Sequence, residues 1–193
     1  MLDKPIRLTT RRLVLREFAS DDWRAVHQYA SDPLVVQYMG WGPNNEQQTQ
    51  AFIGRAMSLA AQRPRREFEL AVVLKEQQRL AGGCGLTIEQ RDHDEGFLGY
   101  CYARAAWGQG YATEAAGAML QFGFEQCGLH RIFATCDVRN IGSWRVMEKL
   151  GMHREGCLRE HRRFRGEWRD SFVYAVLCQE WQAQQSAEHG TGD

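Results

Sequence analysis

The run Trp107-Gly108-Gln109-Gly110-Tyr111-Ala112-Thr113-Glu114-Ala115 is where residue type and spacing most directly suggest chemistry. Two glycines remove side chains where a turn must approach something closely. The residues after them open a helix, whose first N–H groups lack intrahelical acceptors and stand at the positive end of its dipole. That combination suits a phosphate or pyrophosphate. It is not a Walker loop, because no Gly-Lys-Ser/Thr follows, and not a G-x-G-x-x-G fingerprint, because Thr113 stands at the third glycine's place. Alone, the run reads equally as a tight turn before an ordinary capped helix.

A second signal follows in Asp137-Val138-Arg139-Asn140-Ile141-Gly142-Ser143-Trp144. Asn140 is a good N-cap for a short helix, and Ser143 falls in that helix's first turn, where a local hydrogen bond is the ordinary use of a serine. Metal chemistry is not expected. The six cysteines, Cys84, Cys101, Cys127, Cys136, Cys157 and Cys178, form no C-x-x-C pair and have no neighbouring histidine at zinc spacing. Several sit in apolar segments and read as reduced core thiols.

These residues need a frame. Leu8 to Phe18 reads as a strand, and a helix start at Ser20-Asp21-Asp22 precedes Trp23, Val26, His27 and Tyr29. Phe52, Ile53, Ala56, Met57 and Ala60 give Thr49 to Ala61 a helical period. Phe68–Leu74, Leu80–Ile88 and Phe97–Tyr102 form an antiparallel meander, with Gly82, Gly83 and Gly85 marking a bulge or close backbone approach. Tyr111 to Cys127 is the strongest helix, with Gly128 as its cap. Strand Ile132–Val138, helix Trp144–Leu150 and two last strands around Cys157-Leu158 and Phe172–Leu177 complete the order. The expected fold is α/β (α+β): one domain over residues 1–181, with a mixed, mostly antiparallel sheet carrying helices on both faces. Residues 182–193 read as a loose polar tail.

The joint occurrence of Leu98-Gly99-Tyr100, the Trp-Gly-x-Gly-Tyr-Ala-Thr-Glu-Ala run, and Asn140-x-x-Ser143 followed by Glu148-Lys149-Leu150-Gly151 resembles the GNAT superfamily of N-acetyltransferases. Within it, the chain looks most like the ribosomal-protein alanine and serine N-acetyltransferases. The resemblance extends from Arg11-Leu13-Leu15-Arg16 to Trp168-Arg169-Asp170-Ser171. It implies a sheet splayed in the middle and acetyl-CoA as cosubstrate, its pyrophosphate on the amides of Gln109, Gly110, Tyr111, Ala112 and Thr113. Trp107 departs from the family's polar first position, which removes one contact and spares the backbone cradle. The resemblance further implies a backbone contact to pantetheine at Tyr102, whose side chain reads equally as a packed strand aromatic. Asn140 and Ser143 then add contacts to CoA.

Acetyl transfer to an amine needs a neutral amine, a polarised thioester oxygen and a proton for the leaving thiolate. Ser143 resembles the family serine that protonates the departing sulfur. Glu160, in Gly156-Cys157-Leu158-Arg159-Glu160-His161, lies in a stretch resembling that around the family's catalytic glutamate, so it is the expected base; Glu69 and Asp170 are the other carboxylates considered. Glu114 reads as a first-turn carboxylate satisfying the helix dipole. The resemblance thus implies an acetyl-CoA-dependent N-acetyltransferase acting on a primary amine, a protein N-terminus favoured over a small-molecule amine. The competing reading is a non-catalytic acyl-CoA-binding or regulatory module.

With 24 Lys+Arg against 24 Asp+Glu the formal charge is zero, which removes the whole-molecule argument for nucleic acid or an anionic membrane. The arginines of the stretch from Arg159 to Arg169 are interrupted by Glu160 and Glu167 and read as a solvated hairpin. No apolar run reaches transmembrane length and no secretory signal is seen, so a cytoplasmic monomer or homodimer without membrane contact is expected.

Overall fold

The computed structural model describes residues 5–90 and 94–190. They form two compact units, residues 5–87 with 98–119, and residues 88–90 and 94–97 with 120–190.

The first unit begins with a hairpin, β1 (Arg7–Thr9) and β2 (Leu13–Glu17), where a single strand was expected. The break comes at Thr10, whose N–H donates to the Leu13 carbonyl and whose hydroxyl accepts from the Leu13 N–H at 3.1 Å. A side-chain oxygen competing for backbone partners is what turns a chain. Helix α1 (Trp23–Ala30) follows a short 3-10 turn. Helix α2 (Glu46–Ala61) starts three residues before the expected Thr49, because Asn45 and Gln48 form a capping box: Asn45 Oδ1 accepts from Gln48 N at 2.8 Å and Gln48 Oε1 from Asn45 N at 2.9 Å. Helices α1 and α2 pack together, and Phe18, Val26, Tyr29, Val36, Ile53 and Ala56 make the core beneath them with Ala71 and Leu80.

Strand β3 (Glu67–Leu74) pairs with β4 (Arg79–Gln90) in antiparallel register, which slips between Val72 and Val73 opposite Gly82 and Leu80. The expected bulge is therefore real. Gly82 is also the expected close approach: a Cβ there would collide with the Cys101 carbonyl oxygen and stand 2.9 Å from Tyr102 Cα, both in β5 (Glu95–Tyr102). Helix α3 (Tyr111–Gln121) buries Ala115, Ala116 and Met119 and gives way at Phe122–Gln126 to a π-helical turn, before Gly128 at φ 70°.

In the second unit, β6 (Arg131–Asp137) pairs in parallel with the start of β5, Glu95–Phe97 lying beside Arg131–Phe133. Helix α4 (Ile141–Lys149) follows, then β7 (His153–Phe164) and β8 (Glu167–Leu177). The eight strands take the order β1-β2-β3-β4-β5-β6-β8-β7, with β6–β8 and β7–β8 antiparallel. This is the mixed α/β sheet expected.

The tail differs from expectation. Residues Cys178–Gly190 form a helix, α5, where a loose polar segment was expected from Gln182. The polarity of the segment conceals one anchor: buried Trp181 packs on Phe124, ring centroids 6.3 Å apart. Glu180 accepts the Leu177 N–H at 2.9 Å, and the Cys178 N–H donates to the His130 carbonyl, so the helix start is tied down. The last part of that reading, residues 191–193, lies outside the described residues.

Gly82→Ala should lower stability by about 3 kcal/mol, since backbone must move to admit the methyl. A urea unfolding midpoint unchanged from the parent would contradict the close approach.

Candidate functional site

The glycine loop is built within the first unit. Gly108 and Gly110 take φ values of 72° and 78°, the left-handed region that glycine enters without steric cost. Helix α3 then begins at Tyr111, and its first ordinary bond runs from the Glu114 N–H to the Gly110 carbonyl at 3.0 Å. Among the described residues the N–H groups of Tyr111, Ala112 and Thr113 meet no backbone acceptor, as a helix start requires. Trp107, half exposed, donates its indole N–H to the Tyr102 carbonyl at 2.9 Å and straps the loop to the end of β5. The aromatic at the position where the family pattern is polar thus has a structural use.

Glu114 does more than complement a dipole. Its carboxylate accepts from the Thr10 hydroxyl at 2.6 Å, the Arg12 N–H at 2.7 Å and Arg12 Nε at 2.7 Å. Burial pushes this carboxyl up, but the Thr10 and Arg12 hydrogen bonds outweigh it and hold it below the usual range. Arg12 also donates to the Gln109 carbonyl at 3.0 Å and lies over the Tyr111 ring at 4.6 Å. Its Nη2 stands 3.4 Å from where a Cβ at Gly110 would be. A cation is therefore braced beside the glycine loop. Sequence reasoning missed Arg12, which lies about a hundred residues upstream with no local signal.

In the second unit Asn140 caps α4, its Oδ1 accepting the Ser143 N–H at 3.2 Å. The turn into that cap is held by buried Asp137, which binds Arg139 through both carboxylate oxygens at 2.9 and 2.8 Å, with Arg169 at 3.6 Å. Burial raises the Asp137 carboxyl, and the Arg139 contacts more than reverse that. The half-buried Ser143 side chain hydrogen-bonds the Cys136 thiol, which burial pushes up to about 11. Burial likewise holds Cys101 up at about 12. Neither thiol is a nucleophile at neutral pH. All six cysteines are free; Cys84 and Cys136 are buried as expected, Cys101, Cys127 and Cys178 are half-buried and Cys157 is exposed. No group of metal-ligating side chains is found among the described residues.

The three candidate bases belong to two units. Glu160 and Asp170 meet on the β7–β8 ladder, where the Glu160 N–H donates to Asp170 Oδ1 at 2.8 Å. Glu160 is exposed and has φ 48°, at the register slip between Leu158 and Arg162. Glu69 belongs to the first unit, on β3.

Residues 12–153 match the family described as acetyltransferase (GNAT) domain, and the chain belongs to that family. It is an acetyltransferase of the N-acetyltransferase kind, an activity whose cosubstrate in this family is acetyl-CoA. Among its relatives is the uncharacterized N-acetyltransferase YnaD of Bacillus subtilis, 36% identical over 176 residues, covering 91% of this chain and 99% of that one. Another is the ribosomal protein uS5-alanine N-acetyltransferase of Escherichia coli, 24% identical over 184 residues, 91% of this chain and 93% of that one. A crystal structure of a GNAT-family acetyltransferase from Bacillus anthracis superposes with a TM-score of 0.81 at 34% identity, covering 91% of this chain and all of that one.

Glu114→Gln should cost about 1–2 kcal/mol at neutral pH, because three hydrogen bonds to one charge are weakened. Glu114's contribution is present above the ordinary carboxylate value near 4.5 and is lost as pH falls through its lowered value, so the gap between variant and parent should close in acid. Denaturant titrations across that range measure it; a gap that widens in acid would contradict the assignment.

Proposed function

We propose that the chain transfers the acetyl group of acetyl-CoA to a primary amine, a protein N-terminal α-amine by preference, through direct attack on the thioester. The observation that carries this is the loop with left-handed glycines at 108 and 110, opening a helix whose first amides are free, with Arg12 braced beside it. A dianionic pyrophosphate fits that arrangement of N–H groups and fixed positive charge. The amides of Gln109, Gly110, Tyr111, Ala112 and Thr113 hold it, and Tyr102 and Asn140 contribute further contacts to the CoA chain. Acetyl-CoA supplies the activated acyl group.

Ser143 acts as the acid. Its hydroxyl gives a proton to the departing sulfur from the first turn of α4, whose start the Asn140 cap on the Ser143 N–H holds in place. A carboxylate takes the proton of the incoming amine. The preference for a protein N-terminus is supported by the relative that acetylates an alanine of ribosomal protein uS5, which aligns along 91% of this chain.

Thiol release from acetyl-CoA should require an amine, tested with peptides beginning in Ala or Ser, polyamines, aminoglycosides and free amino acids. Gly110→Ala, which forces a side chain to φ 78°, should weaken acetyl-CoA binding about tenfold. Ser143→Ala should lower kcat by about 100-fold, in the range of a lost proton donor. Acetyl-CoA binding without amine-dependent release would leave only a binding module.

A further inference from the structure

We propose that Glu69 is the carboxylate that receives the acceptor amine and takes its proton, lying flat on the sheet where Gly85 leaves it room. The proposal rests on the acetyltransferase reading and names the base of that reaction.

The geometry comes from strand register. Glu69 lies opposite Gly85, and Ala71 opposite Gly83, so these positions share one face of β3 and β4. A Cβ at Gly85 would stand 2.6 Å from Glu69 Oε1, 2.8 Å from Cδ and 2.9 Å from Oε2. All three distances are below van der Waals contact. Only a glycine at 85 lets the carboxylate fold down in this way. Next along the same face, a Cβ at Gly83 would stand 3.8 Å from the Tyr29 hydroxyl and 3.4 Å from the Phe18 ring. Tyr29 is a wall of the core under α1 and α2, so a carboxylate and a hydroxyl flank two side-chain-free positions on β4.

Glu69 is also the glutamate of its strand that other groups have left alone. Glu67 is taken by Arg55 at 2.7 Å. Among the described residues the Glu69 carboxylate makes no hydrogen bond or ion pair, and Tyr29 makes no side-chain hydrogen bond. A half-buried carboxylate with no partner is costly, and a cationic amine would relieve that cost. Glu160, by contrast, is exposed, at the slip in the β7–β8 ladder.

The charged and titratable groups that act on this site are Arg55 from α2, Glu67 from its own strand, Tyr29 from α1 and Cys84 from β4. Burial first, then the Glu67 charge, lifts the Glu69 carboxyl to about 7, with Arg55 acting the other way. A base near neutral is well matched to an α-amine with a pKa near about 8. The ammonium gives one proton to Glu69, which passes it to water. The freed nitrogen lone pair forms the C–N bond, the C–S bond breaks, Ser143 gives its hydroxyl proton to sulfur, and the second nitrogen proton restores the serine.

The test is the pH profile of kcat/KM for whichever panel amine releases thiol, in the parent, Glu69→Gln, Glu69→Asp and Glu160→Gln. The parent should lose activity as pH falls through about 7. Glu69→Gln should lose about 100-fold near neutrality and lose that acid limb, with acetyl-CoA binding and thermal unfolding retained. Glu69→Asp should recover part of the rate with the limb restored, and Glu160→Gln should keep both rate and limb. An active Glu69→Gln with the parent's limb, or loss of the limb in Glu160→Gln, would overturn the proposal alone. A parent that acetylates no panel amine would overturn the function reading and this proposal with it.

Discussion

The carboxylate of Glu114 is the point on which the glycine loop depends. It gathers three donors from the turn between β1 and β2 and holds them against the first turn of α3. Glu114 thereby ties the hairpin end, through Thr10 and Arg12, to the first turn of α3. With it, Arg12 is fixed where it can accept neither retreat into solvent nor collapse onto the glycines, because the Gln109 carbonyl and the Tyr111 ring hold its far side. A negative residue one turn into a helix whose start would receive an anion looks misplaced in isolation. Its full engagement by donors explains how it coexists with the expected ligand: the charge is already matched before any phosphate arrives.

The same economy runs through the second unit. Asp137 is buried and would be a liability, yet Arg139 caps both its oxygens and shapes the turn that delivers the Asn140 cap. Ser143 then sits in a helix start whose direction is already set. Glu114 and Asp137 thus each have a dedicated opposite, in Arg12 and Arg139. The glycine loop joins the backbone dipoles of a helix start to one braced arginine, an arrangement that asks for no basic excess. Glu69 is the exception to the pattern of matching, and an exception of that kind is where chemistry is to be looked for.

Much of this was legible in the chain. The glycine loop, the order of strands and helices and the Asn140 cap follow from local patterns, because turns, caps and apolar periods are properties of neighbouring residues. Gly82, Gly83 and Gly85 announced a close approach, but not that Gly82 answers to the backbone of β5 and Gly85 to the side chain of Glu69. Arg12 was invisible for the same reason: its role exists only once residues 12 and 114 meet. The helix at Cys178–Gly190 was missed because a single tryptophan on a partner ring outweighs a polar composition. Long-range contacts of one or two residues leave no period to read.

The β7 strand bears on a different matter, the solubility of the sheet. It stands last in the strand order, and along its length only Phe164 is buried. An edge so open offers its unused N–H and C=O groups to any passing strand. Glu160 breaks the line by turning its backbone to φ 48°, while Arg159, Arg162 and Arg163 crowd the same stretch with positive charge. A neighbouring molecule seeking to extend the sheet would meet a kinked and repelling rim. The arginine-rich hairpin is thereby a guard against edge-to-edge aggregation.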